Sequence, residues 1–184
     1  MNRDDAWKLL NEYMKNQNLI NHGLAVEAAM AAYAEKFGED IEKWRILGLL
    51  HDFDYEKFPD EKDHALKGAQ ILKEKGYSED IVKAVKSHNP YHNIPRDTLM
   101  EKTLAAVDEL TGFLIACVLV RPSRSFKDLK PKSVKKKMKD KAFAKNVKRE
   151  DITNGADELG ITLDEHILFV TNALDGISER LGFN

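Results

Sequence analysis

The sequence predicts an all-α fold. Apolar residues recur at three- and four-residue spacing along most of the 184 residues, and no segment shows the period of two that a half-buried strand requires. Glycine and proline separate the periodic stretches. With 42% hydrophobic residues, a chain of this length can bury a substantial core, so we expect one domain over residues 1–184.

Five helices are expected in the first half of the chain. An alanine-rich sequence supports the second helix, which stops near Gly38, and Gly76 ends the fourth. Asp63 and Ser78 are the candidate N-caps of the fourth and fifth helices. His22 stands just before the second helix or in its first turn. The predicted ranges are 4–16, 25–37, 41–52, 63–76 and 78–88.

A long helix over about 98–119 is predicted to form the centre of the fold. Leu104, Val107, Leu110 and Leu114 recur along it at three- and four-residue spacing. Beyond it we expect short basic segments broken by Pro131, and then helices over about 149–159 and 163–181.

The chain shows no sign of export or of a membrane span. Asp4 and Asp5 stand where a secretory signal would be positively charged, and the apolar run Phe113–Val120 is far shorter than the roughly 20 residues that cross a bilayer. Cys117 is the only cysteine, so no intramolecular disulfide can form and a metal would need nitrogen and oxygen ligands. We expect a cytoplasmic protein without membrane contact.

Charged residues are distributed unevenly along the sequence, although the net charge is only −2. Residues 121–149 hold 13 Lys or Arg against two aspartates, which leaves this basic segment at +11 and the remainder at −13. An anionic ligand would suit such a field, and a solvated basic face is the alternative. Nucleic acid is not the expected partner, because only Phe126 and Phe143 are interleaved among the bases.

Histidines and carboxylates near predicted helix ends are the candidates for chemistry. The adjacent His51-Asp52 pair can direct both side chains to one ion only near a helix end, where we expect it to lie. Asp108, within the apolar long helix, is costly to bury unless it is paired or bound to a cation. A lone histidine is more often an ordinary hydrogen-bonded residue, so only the combination of these residues indicates a metal site.

The motifs of the combination are Asn21-His22, Leu49-Leu50-His51-Asp52, His64-Ala65-Leu66-Lys67-Gly68-Ala69, Lys86-Ser87-His88 and Ala106-Val107-Asp108. Together they resemble the HD-domain superfamily of metal-dependent phosphohydrolases over about residues 18–118. The resemblance implies an HD-domain helical bundle, on which the basic segment 121–149 and C-terminal helices over 149–182 would pack. It also implies that a metal-activated water attacks a phosphate ester.

The resemblance also implies a set of metal ligands. His22, His51, Asp52 and Asp108 would hold a first divalent ion, and this set suits iron, manganese, cobalt or nickel. His64 and His88 match the extra histidines of the dinuclear branch, in which the aspartate of the pair bridges both ions. Two ions are therefore favoured over a single-ion site in which these histidines contact only substrate or form hydrogen bonds.

The chain departs from the superfamily after the His-Asp pair. Many members have Gly and Lys where this chain has Asp54 and Tyr55, so no general acid can be assigned there. In a loop of charged residues, Asp54 and Glu56 are expected to be solvated.

Other charged residues are weaker candidates for the reaction. His92 would shuttle a proton or contact phosphate, with a surface histidine as the alternative, and Lys86 would pair with phosphate unless it only lines a solvated helix face. Arg121 and Arg124 would clamp phosphate oxygens in a bidentate manner. His166 is expected to be structural or exposed.

The leading hypothesis is a phosphohydrolase that cleaves a phosphomonoester or phosphodiester of a small molecule, with a nucleotide favoured. A mixed-valent di-iron oxygenase and a non-catalytic nucleotide-sensing module are the alternatives. The oligomeric state stays open, because helical faces for dimers resemble core faces.

Overall fold

The computed structural model describes residues 1–183, and every regular element in this range is helical, which confirms the all-α prediction. The chain forms two compact units, a first unit of Met1–Leu104 and a second unit of Ala105–Asn184. The single domain over 1–184 stays a prediction. Within residues 1–183, no helix is both long enough and apolar enough to cross a membrane.

Nine α-helices are found in the described residues, together with short 3₁₀ turns at 90–92, 126–128 and 178–181. The α-helices are α1 (Arg3–Tyr13), α2 (Gln17–Phe37), α3 (Ile41–Leu50), α4 (Leu66–Glu74), α5 (Glu79–His88), α6 (Leu99–Leu119), α7 (Pro131–Met138), α8 (Arg149–Glu158) and α9 (Leu163–Asp175).

Helix α2 is longer than the sequence pattern predicted. It begins at Gln17 rather than near Ala25, because the Asn16 side chain accepts a hydrogen bond from the Asn18 backbone N–H at 2.9 Å and caps the helix. It ends as predicted at Gly38, whose φ of 71° is readily adopted by glycine. His22 therefore lies inside α2, beyond its first turn.

Helices α2 and α3 approach each other closely at two glycines. A Cβ on Gly48 would lie 2.8 Å from the Val26 carbonyl oxygen, and one on Gly23 would lie 3.2 Å from the Leu49 carbonyl oxygen. The missing side chains therefore allow the two backbones to meet. Because α3 ends at Leu50, the His51-Asp52 pair occupies the turn at the end of a buried helix.

A buried carboxylate joins three helices of the first unit. Glu27 on α2 is 3% exposed, and both its oxygens accept hydrogen bonds at 2.8 Å from the guanidinium of Arg3 on α1. Arg45 on α3 donates to the same carboxylate at 3.0 and 3.1 Å. These charge-assisted bonds offset the cost of burying the charge.

The second unit contains most of α6 and the helices that follow it. Gly155 on α8 allows close packing on α6, because a Cβ there would lie 2.5 Å from the Ala106 Cα. His166 on α9 is buried and donates from Nε2 to the Ala106 carbonyl at 2.9 Å, so its role is structural. The last helix ends at Asp175, short of the predicted 181.

Candidate metal centre

Two clusters of histidine nitrogens and carboxylate oxygens meet at Asp52 in the first unit. His22, His51 and Asp52 each offer a ligand atom within 4.8 Å of the others, and so do Asp52, His64 and His88. These residues come from α2, the turn after α3, the turn before α4, and the last residue of α5. The tertiary structure thus brings five of the predicted ligands together.

Each oxygen of the Asp52 carboxylate faces one pair of imidazoles. Oδ2 lies 3.8 Å from His22 Nε2 and 3.5 Å from His51 Nε2. Oδ1 lies 3.1 Å from His64 Nε2 and 3.0 Å from His88 Nε2. Two ligand atoms that each lie about 2.1 Å from one ion are themselves about 3–3.5 Å apart. Three of the four distances lie in this range and the His22 distance is longer, at 3.8 Å, so a cation could be held beside each oxygen after a small shift of His22.

Backbone carbonyls orient two of these imidazoles. His51 Nδ1 donates to the Gly48 carbonyl at 2.8 Å, and His88 Nδ1 donates to the Val85 carbonyl at 2.5 Å. In both cases the acceptor lies three residues earlier, in the last turn of α3 or α5. Because Nδ1 carries the proton in this bond, Nε2 is the ring nitrogen available to a metal.

A buried carboxylate, Asp54, orients the His64 imidazole. His64 Nδ1 donates to Asp54 Oδ1 at 2.9 Å, and Oδ2 accepts from the backbone N–H groups of Ala65 at 3.0 Å and Gly68 at 2.8 Å. Asp54 is 0% exposed, so the expectation that it is solvated was wrong. Sequence reasoning missed this residue, and the available signal was a carboxylate at a position where many superfamily members have glycine.

The carboxylates and imidazoles of the centre shift each other's pKa. Burial alone would raise the pKa of Asp52, but the charge of His51 and hydrogen bonds from His51, His64 and His88 hold it well below its usual range. Burial alone would lower the pKa of His64, but hydrogen bonds to Asp52 and Asp54 raise it to about 9. The Asp52 carboxylate therefore stays ionised among the imidazoles.

The centre is open to solvent on one side. The side chains of His22 and Asp52 are 21% and 22% exposed, whereas the His51 side chain is fully buried. A small ligand can therefore reach the Asp52 carboxylate without unfolding the surrounding helices.

Asp108 lies on α6 in the second unit and is half-buried. Its part in the first ligand set stays a prediction. His92 is half-buried in the first unit, and its Nε2 donates to the His64 carbonyl at 2.8 Å, so this nitrogen supports the His64 turn. Lys86 is half-buried on α5, two residues before His88.

The two arginines proposed as phosphate ligands lie in the second unit. Arg121 donates to the Asp128 carbonyl at 2.8 Å and to Ser133 Oγ at 3.3 Å. Arg124 is exposed and has a φ of 47°, in the left-handed region. Glu56, in the first unit, is exposed as expected and accepts hydrogen bonds from the Lys15 and Asn16 backbone.

Comparison with protein families gives a match to the HD domain over residues 19–113. This range contains each of the five clustered ligands and Asp108. No solved structure matches the chain significantly.

Among curated proteins, the chain is similar to several named ribonuclease Y. It is 36% identical to ribonuclease Y of Nitratidesulfovibrio vulgaris (strain DP4) over 101 residues, which are 53% of this chain and 18% of that protein. It is 33% identical to the Lawsonia intracellularis protein over 100 residues, with 52% and 18% covered. The match to the Desulfotalea psychrophila protein is 28% identical over 174 residues, with 91% and 32% covered. The chain thus aligns with less than a third of the length of these relatives.

Proposed function

This chain belongs to the HD domain family, and on that premise we propose that it is a metal-dependent hydrolase of phosphate esters. The observation that carries the proposal is the Asp52 carboxylate, whose two oxygens each face a pair of imidazole Nε2 atoms at 3.0–3.8 Å. A carboxylate placed in this way could contribute one oxygen to each of two cation sites.

We assign the residues of the first unit to two metal sites. His22, His51 and Asp52 would hold one ion, with Asp108 as the fourth ligand implied by the family resemblance. Asp52, His64 and His88 would hold the other. Imidazole and carboxylate ligands fit iron, manganese, cobalt or nickel. Ions held by these residues would supply the chemistry of activating a water for attack on phosphorus and of offsetting charge on the phosphate oxygens.

The protein's own residues prepare the centre for this chemistry. Asp52 is held ionised, which keeps both its oxygens available as ligands. The hydrogen bonds at Nδ1 of His51, His64 and His88 fix the Nε2 atoms toward Asp52, so little reorganisation is needed when an ion binds.

The proposed substrate is a phosphomonoester or phosphodiester, with a nucleotide as the favoured class. The relatives named ribonuclease Y support a phosphodiester and weigh against our expectation that nucleic acid is not a partner. Short RNA therefore belongs in the substrate panel. Lys86, Arg121 and Arg124 stay candidates for phosphate contact, and His92 for proton transfer through Nδ1, because its Nε2 is engaged by the His64 carbonyl.

The proposal is tested by metal analysis of anaerobically purified protein combined with a phosphoester panel. The panel contains p-nitrophenyl phosphate, bis(p-nitrophenyl) phosphate, nucleotides, dinucleotides and short RNA. Wild type and Asp52→Ala are compared, with Asp60→Ala as a matched control, because Asp60 is an exposed aspartate of the same loop region. We expect hydrolysis by wild type and the control and a loss of at least about 100-fold in Asp52→Ala, as expected when a metal ligand is removed.

Asp52→Ala activity equal to that of wild type would overturn the metal mechanism. Iron with an oxygen requirement for turnover would replace hydrolysis by the oxygenase alternative. A nucleotide that co-purifies with the protein and is not turned over would replace it by the sensing module.

A further inference from the structure

The role of Asp54 follows from where His64 lies in the chain. His51 directly follows α3 and His88 is the last residue of α5, and in each case a carbonyl three residues earlier accepts the Nδ1–H. His64 lies in the turn before α4, and the carbonyl three residues earlier, that of Glu61, accepts a hydrogen bond from the Asn89 side chain at 3.1 Å instead. The Asp54 carboxylate supplies the missing acceptor at 2.9 Å from His64 Nδ1.

The same carboxylate also holds the backbone that carries His64. Helix α4 has no side-chain cap of its own, and its N-terminal N–H groups at Ala65 and Gly68 donate to Asp54 Oδ2 instead. Ala65 has a φ of 69°, which is unfavourable for an L-residue, so the turn needs support from its surroundings. Asp54 thus fixes both the ring of His64 and the turn on which it stands.

Gly68 provides the space for this carboxylate. A Cβ at position 68 would lie 2.8 Å from Asp54 Cγ and 2.9 Å from Oδ2, which is closer than side-chain atoms can approach. Asp54 and Gly68 are therefore a matched pair, although they are far apart in the sequence.

We propose that Asp54 is a positioning residue that creates the second metal site by holding the His64 imidazole with Nε2 toward Asp52. This inference rests on the dinuclear centre of the proposed function. In place of the glycine common in the superfamily, this chain carries a carboxylate that orients an added ligand. In this role Asp54 would act through His64 and would bind neither the substrate nor the ions.

The substitution Asp54→Asn tests the orientation of the His64 ring without changing the size of the side chain at position 54. The two backbone N–H groups at Ala65 and Gly68 require an oxygen, so the new amide places its oxygen there and turns its NH₂ toward His64 Nδ1. Nδ1 must then accept, and the proton moves to Nε2, which can no longer bind a metal. We expect the affinity of the second ion to fall about 10–100-fold, the range found when a carboxylate behind a metal-bound histidine is lost.

The experiment measures Mn²⁺ binding to wild type, Asp54→Asn and Asp60→Asn by equilibrium dialysis with metal analysis. Mn²⁺ electron paramagnetic resonance distinguishes a coupled pair from a single ion. We expect two ions in wild type and in Asp60→Asn, and one tight plus one weakened ion in Asp54→Asn. Two ions of wild-type affinity in Asp54→Asn would overturn the role of Asp54 and leave the metal mechanism standing. Only one ion in wild type would overturn both this inference and the dinuclear centre.

A measurement on the wild-type protein keeps the inference testable if Asp54→Asn fails to fold. Long-range ¹H–¹⁵N correlation spectra of the Zn²⁺-loaded protein report which nitrogen of each histidine carries the proton. The His64 signals are assigned by their loss in His64→Gln. We expect a proton on His64 Nδ1 and none on Nε2, and the opposite tautomer would refute the proposed orientation.

Discussion

Replacing Gly48 by alanine is expected to destabilise the protein and to disturb the proposed metal site that contains His51. The new Cβ would lie 2.8 Å from the Val26 carbonyl oxygen and 2.9 Å from the Glu27 Cα and N atoms. These are backbone atoms in the interior of α2, so they cannot move away individually as a flexible side chain would. Ordinary contact begins at 3.4 Å, and helices α2 and α3 must therefore separate by about 0.6 Å.

The free-energy change combines two opposing effects. Overpacking a core costs about 1–3 kcal/mol, whereas alanine gains about 1 kcal/mol over glycine in helix propensity. We expect a net loss of up to about 2 kcal/mol, which lowers the melting temperature by up to about 8 °C in a protein of this size.

Gly112→Ala is the matched control for this substitution. Gly112 lies within α6, and an added Cβ would have no atom of another segment within 4 Å. Helix propensity then acts alone, so we expect this variant to be more stable than wild type by up to about 1 kcal/mol. Thermal unfolding of both variants is followed by circular dichroism at 222 nm. If Gly48→Ala melts at or above the wild-type temperature, the close approach of α2 and α3 does not limit stability and the reasoning is refuted.

The same variant has a consequence for metal binding. The Gly48 carbonyl accepts the His51 Nδ1 hydrogen bond at 2.8 Å, and His51 immediately follows α3. A shift of α3 therefore moves His51 relative to His22 on α2. We expect Gly48→Ala to bind Mn²⁺ more weakly than wild type and Gly112→Ala to bind it equally well, and equal affinity in both variants would show that the site tolerates the shift.

Glu27→Ala should lower the free energy of unfolding in urea by about 3–5 kcal/mol, because it leaves Arg3 and Arg45 without their buried partner. The control Glu12→Ala, at an exposed position, should change it by less than about 0.5 kcal/mol. A loss below about 1 kcal/mol in Glu27→Ala would contradict this prediction. In EDTA, the free energy of unfolding should fall by up to about 3 kcal/mol as the pH rises from about 6.5 to 9. The His64 pKa of about 9 in the folded state exceeds its unfolded value, so a stabilising proton is lost over that range. Urea unfolding that is independent of pH in this range would count against the His64 hydrogen bonds. Burial raises the pKa of Cys117 to about 11. Its thiol should therefore react with Ellman's reagent at pH 8 only after the protein unfolds. Rapid labelling of the native protein would disprove the burial of Cys117.

Local sequence patterns were sufficient to predict most of the helical elements. The spacing of apolar residues predicted α3, α5 and α6 to within two residues, because burial on one helix face leaves a periodic trace in the sequence. The start of α2 was missed, because Asn16 caps a first turn that is mostly polar and carries little apolar periodicity. Helix termini depend on single hydrogen bonds rather than on a repeated pattern, which makes them harder to predict.

The sequence by itself also determined that His51 and Asp52 sit together at the end of a buried helix. What only the tertiary structure decided is how the other residues meet them. His88 reaches Asp52 across 36 residues, and Asp54 is buried because the N-terminus of α4 folds back onto it with Gly68 leaving the space. A carboxylate in a charged loop is solvated unless hydrogen-bond donors from elsewhere in the sequence surround it. Those donors cannot be predicted from the local spacing of apolar residues.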